Sequence, residues 1–271
     1  MTVHDLIHWI FRRDFFTPLQ AFYAGKMLNC VVRLADHIIT VSRKTRDDLI
    51  QHFNADPEKV SVIYEAAHAQ FRPVEDAEKI GGVRKKYKVP ELFFLYVGSL
   101  KPHKNVLWLM QVFRKLKSAG RIDASLVLIG KKDRGYPPGF EELRKLKSGE
   151  PIYHIPYVER EELPAFYSGA LALIHPSLYE GFGLTLLEAM ACGTPVIACR
   201  SASIPEVVGD AACLVDPCAE REMMDAIVRL EKFPRLREEF KWKGREQVRR
   251  FHWDEAARQT VEVYERILAR P

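Results

Sequence analysis

Short apolar runs alternate with amphipathic segments along most of this chain, and this order constrains the fold more than any other feature. The apolar runs barely alternate with polar residues, which is typical of parallel strands buried on both faces. Between them, apolar residues such as Val106, Met110 and Phe113 recur at helical spacing. The order predicts an α/β fold of βαβ units, with one doubly wound parallel sheet between residues 91 and about 218. Strands are predicted at 61–64, 92–97, 125–129, 171–174, 195–198 and 213–215.

The composition excludes several classes of protein. With 47% hydrophobic and 28% charged residues, the 271-residue chain is globular rather than disordered. Its longest apolar run, 92–97, is far shorter than the roughly 20 residues of a membrane span, and no secretory signal is visible, which predicts a cytoplasmic protein. The five cysteines form no Cys-x-x-Cys pair, so a disulfide framework and a zinc ribbon are both disfavoured.

The net charge of +5 arises from interspersed Lys, Arg, Asp and Glu, which gives little support for nucleic acid as a partner. An anionic small molecule or an acidic membrane surface agrees equally well with this charge. We therefore expect no nucleic-acid binding.

The front of the chain predicts a second αβ unit. An apolar face over 17–35 precedes a strand at 37–41, and Ser42 is expected to cap the following helix. Thr2 and Val3 resemble the end of a strand. The polar, Gly- and Pro-containing segment 66–90 predicts a linker between two domains. Residues 234–270 predict two closing helices that break near 250–253.

The stretch 175–194 carries the most informative motif, running from a strand through a Gly-rich turn into a helix. Ligands of open α/β sheets lie at such strand ends. Gly181 and Gly183 allow the backbone to approach a bound group, and the first N–H groups of the helix, at Leu184 and Thr185, can receive an anion. Glu180 and Glu188 flank this anion site, so their carboxylates are expected to bind hydroxyl groups on different parts of one ligand. A nucleotide-diphosphate sugar satisfies all of these features.

A second strand–turn–helix stretch, 97–105, places Lys104 at the mouth of the same crevice. A cation there can neutralise the charge that develops on a departing nucleoside diphosphate. No Asp-x-Asp motif and no His/Asp cluster with ligand spacing is present, so we expect no metal. Each of these side chains could also be an ordinary solvated residue, and it is their combination that favours a site.

These motifs resemble those of the GT-B-fold, retaining glycosyltransferases of family 4 (glycosyl transferases group 1), in detail the bacterial mannosyltransferase-like branch. The resemblance also rests on His4-Asp5 and on the stretches at 35–42, 62–66, 188–196 and 204–209. It extends over essentially the whole chain.

The resemblance implies a role for each matching position. Glu180 would contact the donor sugar, Glu188 would hold the ribose, and Lys104 would bind the diphosphate. His4 would reach the donor from the N-terminal domain as an active-site histidine. The remaining expected donor contacts are backbone or turn positions and a stretch beside the base: Gly98, Ser99, Tyr157, Val158, Gly181, Phe182, Gly183, Leu184 and Thr185. The resemblance implies no cofactor and no metal.

It also implies two Rossmann-like domains. Residues 1–72 would be a partial acceptor-side domain and residues 73–250 the donor-binding domain. Residues 251–271 would return to the first domain, with Trp253 in a packing role. On this interpretation about a hundred residues ahead of His4 are absent. Many family members carry Arg where Ser99 stands; the expected substitutes are Lys101, His103 and Lys131.

We therefore expect a hexosyltransferase that moves a sugar, with mannose as the leading candidate, from GDP-mannose or a UDP-hexose to a glycan or lipid-linked acceptor with retention of configuration. The alternatives are a non-catalytic or split-enzyme donor-binding fragment, which would self-associate or bind a partner chain through its incomplete sheet, and a sugar-nucleotide epimerase. Arg12, Arg13 and the following helix suggest a peripheral contact with the inner face of the membrane, although packing of this helix on the sheet is favoured.

Overall fold

A computed structural model describes residues 1–131, 137–146 and 150–269, and these residues form two parallel sheets. The first has the order β1-β2-β3 and the second the order β6-β5-β4-β7-β8-β9. The strands are β1 (Thr2–Val3), β2 (Ile38–Thr40), β3 (Val60–Val62), β4 (Phe93–Val97), β5 (Ser125–Ile129), β6 (Ile152–Ile155), β7 (Leu173–His175), β8 (Val196–Cys199) and β9 (Cys213–Val215).

Helices connect the strands and cover the sheets. They are α1 (Ile7–Ile10), α2 (Pro18–Leu34), α3 (Arg43–Phe53), α4 (Ala77–Tyr87), α5 (Val106–Ser118), α6 (Pro137–Arg144), α7 (Leu163–Gly169), α8 (Leu184–Ala191), α9 (Ile204–Val208), α10 (Glu220–Lys232), α11 (Pro234–Val248) and α12 (Trp253–Leu268). None of the helices in the described ranges is both long and apolar enough to span a bilayer.

The six-stranded sheet is buried on both faces. Along β4, Phe93 and Leu95 belong to one apolar cluster, whereas Phe94 and Tyr96 belong to the other. Successive side chains of a strand point to opposite faces, so both faces of this sheet are covered. The prediction of a doubly wound parallel sheet is confirmed.

The register of this sheet brings its carboxyl ends to one edge. Val97 pairs with Ile129, which pairs with Ile155 on β6, and His175 at the end of β7 pairs with Ala198. The loops that follow these strands therefore lie side by side, and they contain most of the residues singled out from the sequence.

The prediction of a linker over 66–90 is wrong in part, because α4 occupies 77–87. The Asp76 side chain accepts hydrogen bonds from the Glu78 and Lys79 N–H groups and so caps the helix, and Lys88 ends it in the left-handed conformation. Only Val83 of this helix is buried. The polar composition reflects a helix with a largely exposed surface rather than an unstructured connection.

Several further elements, among them β6 and α10, were not predicted from the sequence. The strand β6 is only four residues long and buries Ile152 and Ile155 at its two ends, so its burial does not follow a period of two. Helix α10 follows β9 and buries Met223, Ala226, Ile227 and Leu230. The other predicted strands agree with the observed ones to within one or two residues at each end.

Helix α12 packs on the three-stranded sheet through Ala256 and Val263, which contact Ile39 and Ile63. The packing role predicted for Trp253 is wrong, since this side chain is 48% exposed. Phe251 packs instead, with its ring 5.7 Å from Tyr64 and 5.8 Å from Phe182. Tyr64 and Phe182 also stack on each other at 5.9 Å, so three segments meet in one ring cluster.

Helix α2 packs only partly on its sheet. Its Leu28, Val31 and Val32 contact the small apolar core formed around Leu6 and Leu49. The expectation that its whole apolar face would pack on the sheet is wrong for the other members of that face, which are exposed: Leu19, Phe22, Tyr23 and Met27.

The helical state of α4 gives a direct test. A Cβ at the exposed Gly82 meets no atom within 4 Å, so Gly82→Ala should raise the free energy of unfolding by about 0.5–1 kcal/mol through helix propensity. Gly120 has equally open surroundings but a φ of +61°, so Gly120→Ala should destabilise by about 1 kcal/mol. Urea titrations of the two variants measure both effects. Destabilisation by Gly82→Ala would contradict a helix at 77–87.

Candidate active site

Most of the residues singled out from the sequence line one cleft of about 250 Å³ between the two sheets. The small sheet contributes the segment after β1 and the loop after β3, and the large sheet contributes the loops after β4 and β7. The cleft is lined by His4, Asp5, Val41, Glu65, Lys104, Glu180, Gly181, Phe182, Gly183, Leu184 and Thr185.

The glycine turn between β7 and α8 makes this close approach of the two sheets feasible. A Cβ on Gly181 would lie 2.1 Å from the carbonyl oxygen of His4, so no larger residue can occupy this position without a shift of the backbone. Gly183 has a φ of +101° and precedes the first residue of α8, Leu184. Leu184 and Thr185 line the cleft, and their N–H groups at the start of α8 are suited to receive an anionic group.

Glu180 is the buried charge of this cleft. The Lys104 Nζ donates to its two carboxylate oxygens at 2.6 and 2.7 Å, and the His175 Nε2 lies 2.8 Å from Oε1. Burial opposes ionisation of Glu180, yet the Lys104 ammonium and the His175 hydrogen bond hold its pKa well below its usual range. Glu180 is therefore ionised, and its charge is compensated mainly by the Lys104 ammonium.

A second cleft, of about 480 Å³, is lined by the same ion pair. It shares Asp5, Lys104 and Glu180 with the first cleft, and aromatic side chains of the segment before α2 form part of its wall. Its other lining residues are Ile7, His8, Phe15, Phe16, Gln20, Ser99, Lys101, Pro102 and His103.

The structure can be used to compare Lys101, His103 and Lys131 as sources of a second cation beside Ser99. His103 is buried, and this burial together with the neighbouring Lys104 lowers its pKa to about 4, so it is neutral at pH 7. Lys131 lies 5.8 Å from the centre of the Tyr157 ring, after a different strand. Lys101 is exposed and lines the cleft with Ser99, which makes it the candidate.

Gly98 lines neither cleft, but it fixes the loop that carries Ser99. Its N–H donates to the Ile129 carbonyl at 2.9 Å, and a Cβ on the neighbouring Gly130 would lie 1.8 Å from the Gly98 oxygen. The Tyr96 hydroxyl donates to the Ser99 carbonyl at 2.8 Å. The loop is thus held by backbone contact with β5 and by one buried phenol.

Glu188, Tyr157 and Val158 lie outside both clefts. The Glu188 carboxylate accepts a hydrogen bond from the Tyr167 hydroxyl at 2.8 Å, and burial raises its pKa. Tyr157 is 57% exposed and donates to Glu159, whereas the Val158 side chain is buried in the core. The structure does not bring these residues together with Glu180, and Val158 can offer a ligand only its backbone.

Two residues in contact with the predicted site residues were not assigned a role from the sequence. His175 is buried and contacts Glu180, and Glu65 lies with its carboxylate 3.4 Å from the His4 Nδ1. Burial raises the pKa of Glu65, and His4 opposes this rise. Both residues end or follow a predicted strand at its carboxyl end, which is the signal that could have indicated them. No group of three or more His, Cys, Asp or Glu side chains suited to a metal occurs among residues 1–131, 137–146 and 150–269.

Two sequence models of known families match the chain. The model described as Glycosyl transferases group 1 matches residues 83–247, which is more than half of the chain. The chain belongs to this family. The model described as Glycosyltransferase Family 4 matches residues 1–70, so the resemblance drawn from the motifs is confirmed. The boundary predicted between residues 72 and 73 stays a prediction.

Curated relatives of this chain include O-antigen chain mannosyltransferase B of Escherichia coli, which is 31% identical over 89% of the chain. O-antigen chain mannosyltransferase RfbU of Salmonella typhimurium is 32% identical over 86%, and the MMP alpha-(1->4)-mannosyltransferase of Mycolicibacterium hassiacum is 32% identical over 90%. The chain spans 64%, 61% and 57%, respectively, of the lengths of these three proteins.

Solved structures show the same fold. Sucrose-phosphate synthase from Thermosynechococcus elongatus superposes on 99% of the chain with a TM-score of 0.82 at 25% identity, and 67% of its own chain is covered. Anabaena HepE, solved with UDP and glucose, superposes on 97% of the chain with a TM-score of 0.81 at 19% identity, with 70% of its chain covered. The predicted Rossmann-like α/β fold of the GT-B type is confirmed.

The Glu180–Lys104 pair predicts a pH-dependent loss of stability in Lys104→Met. At pH 7 the variant retains a buried Glu180 beside His175 alone, so its free energy of unfolding should fall by about 3 kcal/mol. The lowered folded-state pKa of Glu180 stabilises the wild type above about pH 4.5, the ordinary value of this group, and this contribution is lost as the pH falls. In the variant the Glu180 pKa rises, so the difference between the two proteins should shrink from pH 7 to pH 4.

Urea unfolding at the two pH values measures this difference. The matched control is Lys86→Met, which breaks the more exposed Lys86–Glu162 pair and should lower the free energy of unfolding much less, because solvent screens this pair. A Lys104→Met effect that equals the control, or that is the same at both pH values, would contradict a buried ion pair at Glu180.

Proposed function

We propose that the chain binds a nucleotide-diphosphate sugar and transfers its hexose to a glycan or lipid-linked acceptor with retention of configuration. The observation that carries this proposal is the meeting of two clefts at one buried ion pair, Glu180–Lys104. A donor in one cleft and an acceptor in the other would then face each other across the same two side chains.

The donor hexose fits the 250 Å³ cleft. His4 and Glu65 line it from the small sheet, while Glu180 and the backbone of 181–183 line it from the large sheet. Carboxylates accept hydrogen bonds from sugar hydroxyls, and backbone N–H groups donate to them. Glu180 and His4 then hold the hexose from two directions.

The diphosphate would lie between Lys104 and the first turn of α8. Lys104 reaches the cleft from the loop after β4, and the N–H groups of Leu184 and Thr185 begin the helix on the other side. Lys101 adds a second cation beside Ser99 in the adjoining cleft. These charges stabilise the departing nucleoside diphosphate, and no step of the proposed transfer requires a metal.

The nucleoside would extend toward α7, where Glu188 accepts from Tyr167. We assign the ribose hydroxyls to the Glu188 carboxylate and the base to the stretch at Tyr157 and Val158. The raised pKa of Glu188 reflects burial in this position, and a partner with two vicinal hydroxyls would compensate part of the desolvation of its carboxylate.

In the transfer step, an acceptor hydroxyl in the 480 Å³ cleft attacks the anomeric carbon on the face from which the diphosphate leaves. The bond between this carbon and the phosphate oxygen breaks as the bond to the acceptor oxygen forms, and the acceptor proton passes to the departing phosphate. Attack and departure on one face retain the configuration. Lys104 neutralises the charge that grows on the leaving group.

Mannose is the proposed sugar, because three of the curated relatives are mannosyltransferases by name. The chain spans only part of the length of these relatives, so donor binding without transfer is the second candidate function. Incubation of the purified chain with GDP-mannose, UDP-glucose and a glycan acceptor distinguishes the two. Release of nucleoside diphosphate supports transfer, binding without release supports the second candidate, and an epimer formed without acceptor supports neither.

The role proposed for Glu188 predicts weaker nucleotide binding in Glu188→Ala. Loss of a charged hydrogen-bond acceptor should raise the dissociation constant of the nucleoside diphosphate by about tenfold or more. Calorimetric titration of GDP and UDP measures this change. Glu238→Ala, which removes a carboxylate from the surface of α11, is the control and should leave the affinity unchanged. Equal affinities of wild type and Glu188→Ala would remove Glu188 from the site.

A further inference from the structure

The turn that carries Glu180 is held from both sides by residues that have no role in the proposed site. On one side, the Ser203 hydroxyl lies 2.9 Å from the Glu180 carbonyl oxygen and 3.1 Å from that of Phe182. On the other side lies α3, which belongs to the small sheet. The Thr45 hydroxyl of α3 lies 3.5 Å from the Gly181 carbonyl oxygen. Helix α3 is therefore in direct contact with the turn.

One turn further along α3, Asp48 makes the shortest of these contacts. Its side chain is fully buried, and Oδ2 accepts a hydrogen bond from the Tyr179 hydroxyl at 2.6 Å, while Oδ1 accepts from the Lys44 Nζ at 2.5 Å. Tyr179 directly precedes Glu180. The bond thus joins the small-sheet side of the cleft to the backbone that carries the buried carboxylate.

In this pair the Tyr179 phenol is the hydrogen-bond donor. Burial, followed by the hydrogen bond and the charge of Asp48, raises the pKa of the Tyr179 phenol far above its usual range. The phenol therefore keeps its proton at neutral pH and donates a hydrogen bond to the carboxylate. The geometry of the contact indicates its role.

Packing alone does not explain a charged residue at this position. A buried carboxylate is costly in free energy, and an apolar pair of similar shape fills a core at lower cost. The Tyr179 ring already packs edge-on against Phe11 at 6.3 Å, so the apolar part of the contact exists without Asp48. What the carboxylate adds is a fixed direction for the hydroxyl of Tyr179.

Helix α3 is itself anchored to the large-sheet side. The Glu206 carboxylate of α9 accepts from the Arg43 and Lys44 N–H groups at 3.2 and 3.3 Å, at the first residues of α3. The Tyr64 hydroxyl donates to the same carboxylate at 3.4 Å. A helix held at its N-terminus is a rigid support for a hydrogen bond made one turn later.

We propose that Asp48 and Tyr179 are positioning residues that set the place of the Glu180 carboxylate relative to His4 and therefore the orientation of the donor hexose. The second half of this statement rests on the proposed function, since it requires a hexose at Glu180. The first half concerns only the turn at 179–183, so it can be tested without any ligand.

The test compares Tyr179→Phe with Tyr87→Phe. Both variants lose one phenol that donates to a carboxylate at 2.6 Å, but Tyr87 and its partner Glu162 lie away from both clefts. Amide hydrogen exchange of peptides that cover 178–185 reports on the turn. We expect exchange there to become about tenfold faster in Tyr179→Phe and to stay unchanged in Tyr87→Phe.

The ratio of two dissociation constants, for GDP and GDP-mannose or for UDP and UDP-glucose, isolates the contribution of the sugar to the binding free energy. In Tyr179→Phe we expect about tenfold weaker binding of the sugar nucleotide and an unchanged affinity for the nucleoside diphosphate alone. Asp48→Asn keeps an acceptor for the phenol and should retain most of the wild-type ratio, whereas Asp48→Leu should match Tyr179→Phe. A double variant, Asp48→Leu with Tyr179→Phe, should be no worse than either single one.

Each outcome decides the proposal. Unchanged exchange at 178–185 in Tyr179→Phe overturns it, because the bond then does not hold the turn. Faster exchange with an unchanged ratio also overturns it, since the contact is then merely structural. If the wild type binds none of the four nucleotides, the proposed function fails, and the exchange measurement still decides whether Asp48 and Tyr179 hold the turn.

Discussion

The buried carboxylate of Glu180 is the constraint on which the candidate site depends. An unpaired carboxylate at this depth would be costly in free energy, so its partners must be in place whenever the chain is folded. One partner, Lys104, follows β4 and the other, His175, ends β7, and these strands are neighbours in the sheet. The strand order thus brings the compensating groups to Glu180. The Lys104–Glu180 ion pair also forms the part of the wall that the two clefts share.

The parts of this arrangement that follow from local sequence patterns were predictable. All strands of the large sheet except β6, and the glycine turn at 181–183, could be located from apolar runs and residue types alone. Parallel strands end at one edge, so the meeting of Lys104 and Glu180 in one crevice follows from the fold class. The family resemblance adds the expectation that the ligand is a nucleotide sugar. The individual roles of Lys104 and Glu180 stay predictions.

The parts that depend on burial and on contacts distant in sequence were not predictable. Sequence alone does not reveal that Lys104 bonds to Glu180, because the motifs are equally consistent with each residue binding a different part of the donor. Helix α4 was missed because its surface is polar nearly all round, and one buried residue, Val83, gives no periodic signal. Trp253 was expected in a packing role, but the turn before α12 presents Phe251 to the core instead. Such choices between neighbouring aromatic residues are decided by the backbone direction at the turn.

The ring cluster of Tyr64, Phe182 and Phe251 has a consequence for biosynthesis. Its three rings come from the end of β3, from the glycine turn and from the segment before α12, so they span most of the chain. Phe251 leaves the ribosome only after both sheets have been synthesised. Contacts this distant in sequence form late, since they require closure of long loops. We therefore expect the cleft beside Phe182 to be completed late in folding, because a nascent chain that ends before Phe251 carries the motif residues without the third ring of this cluster.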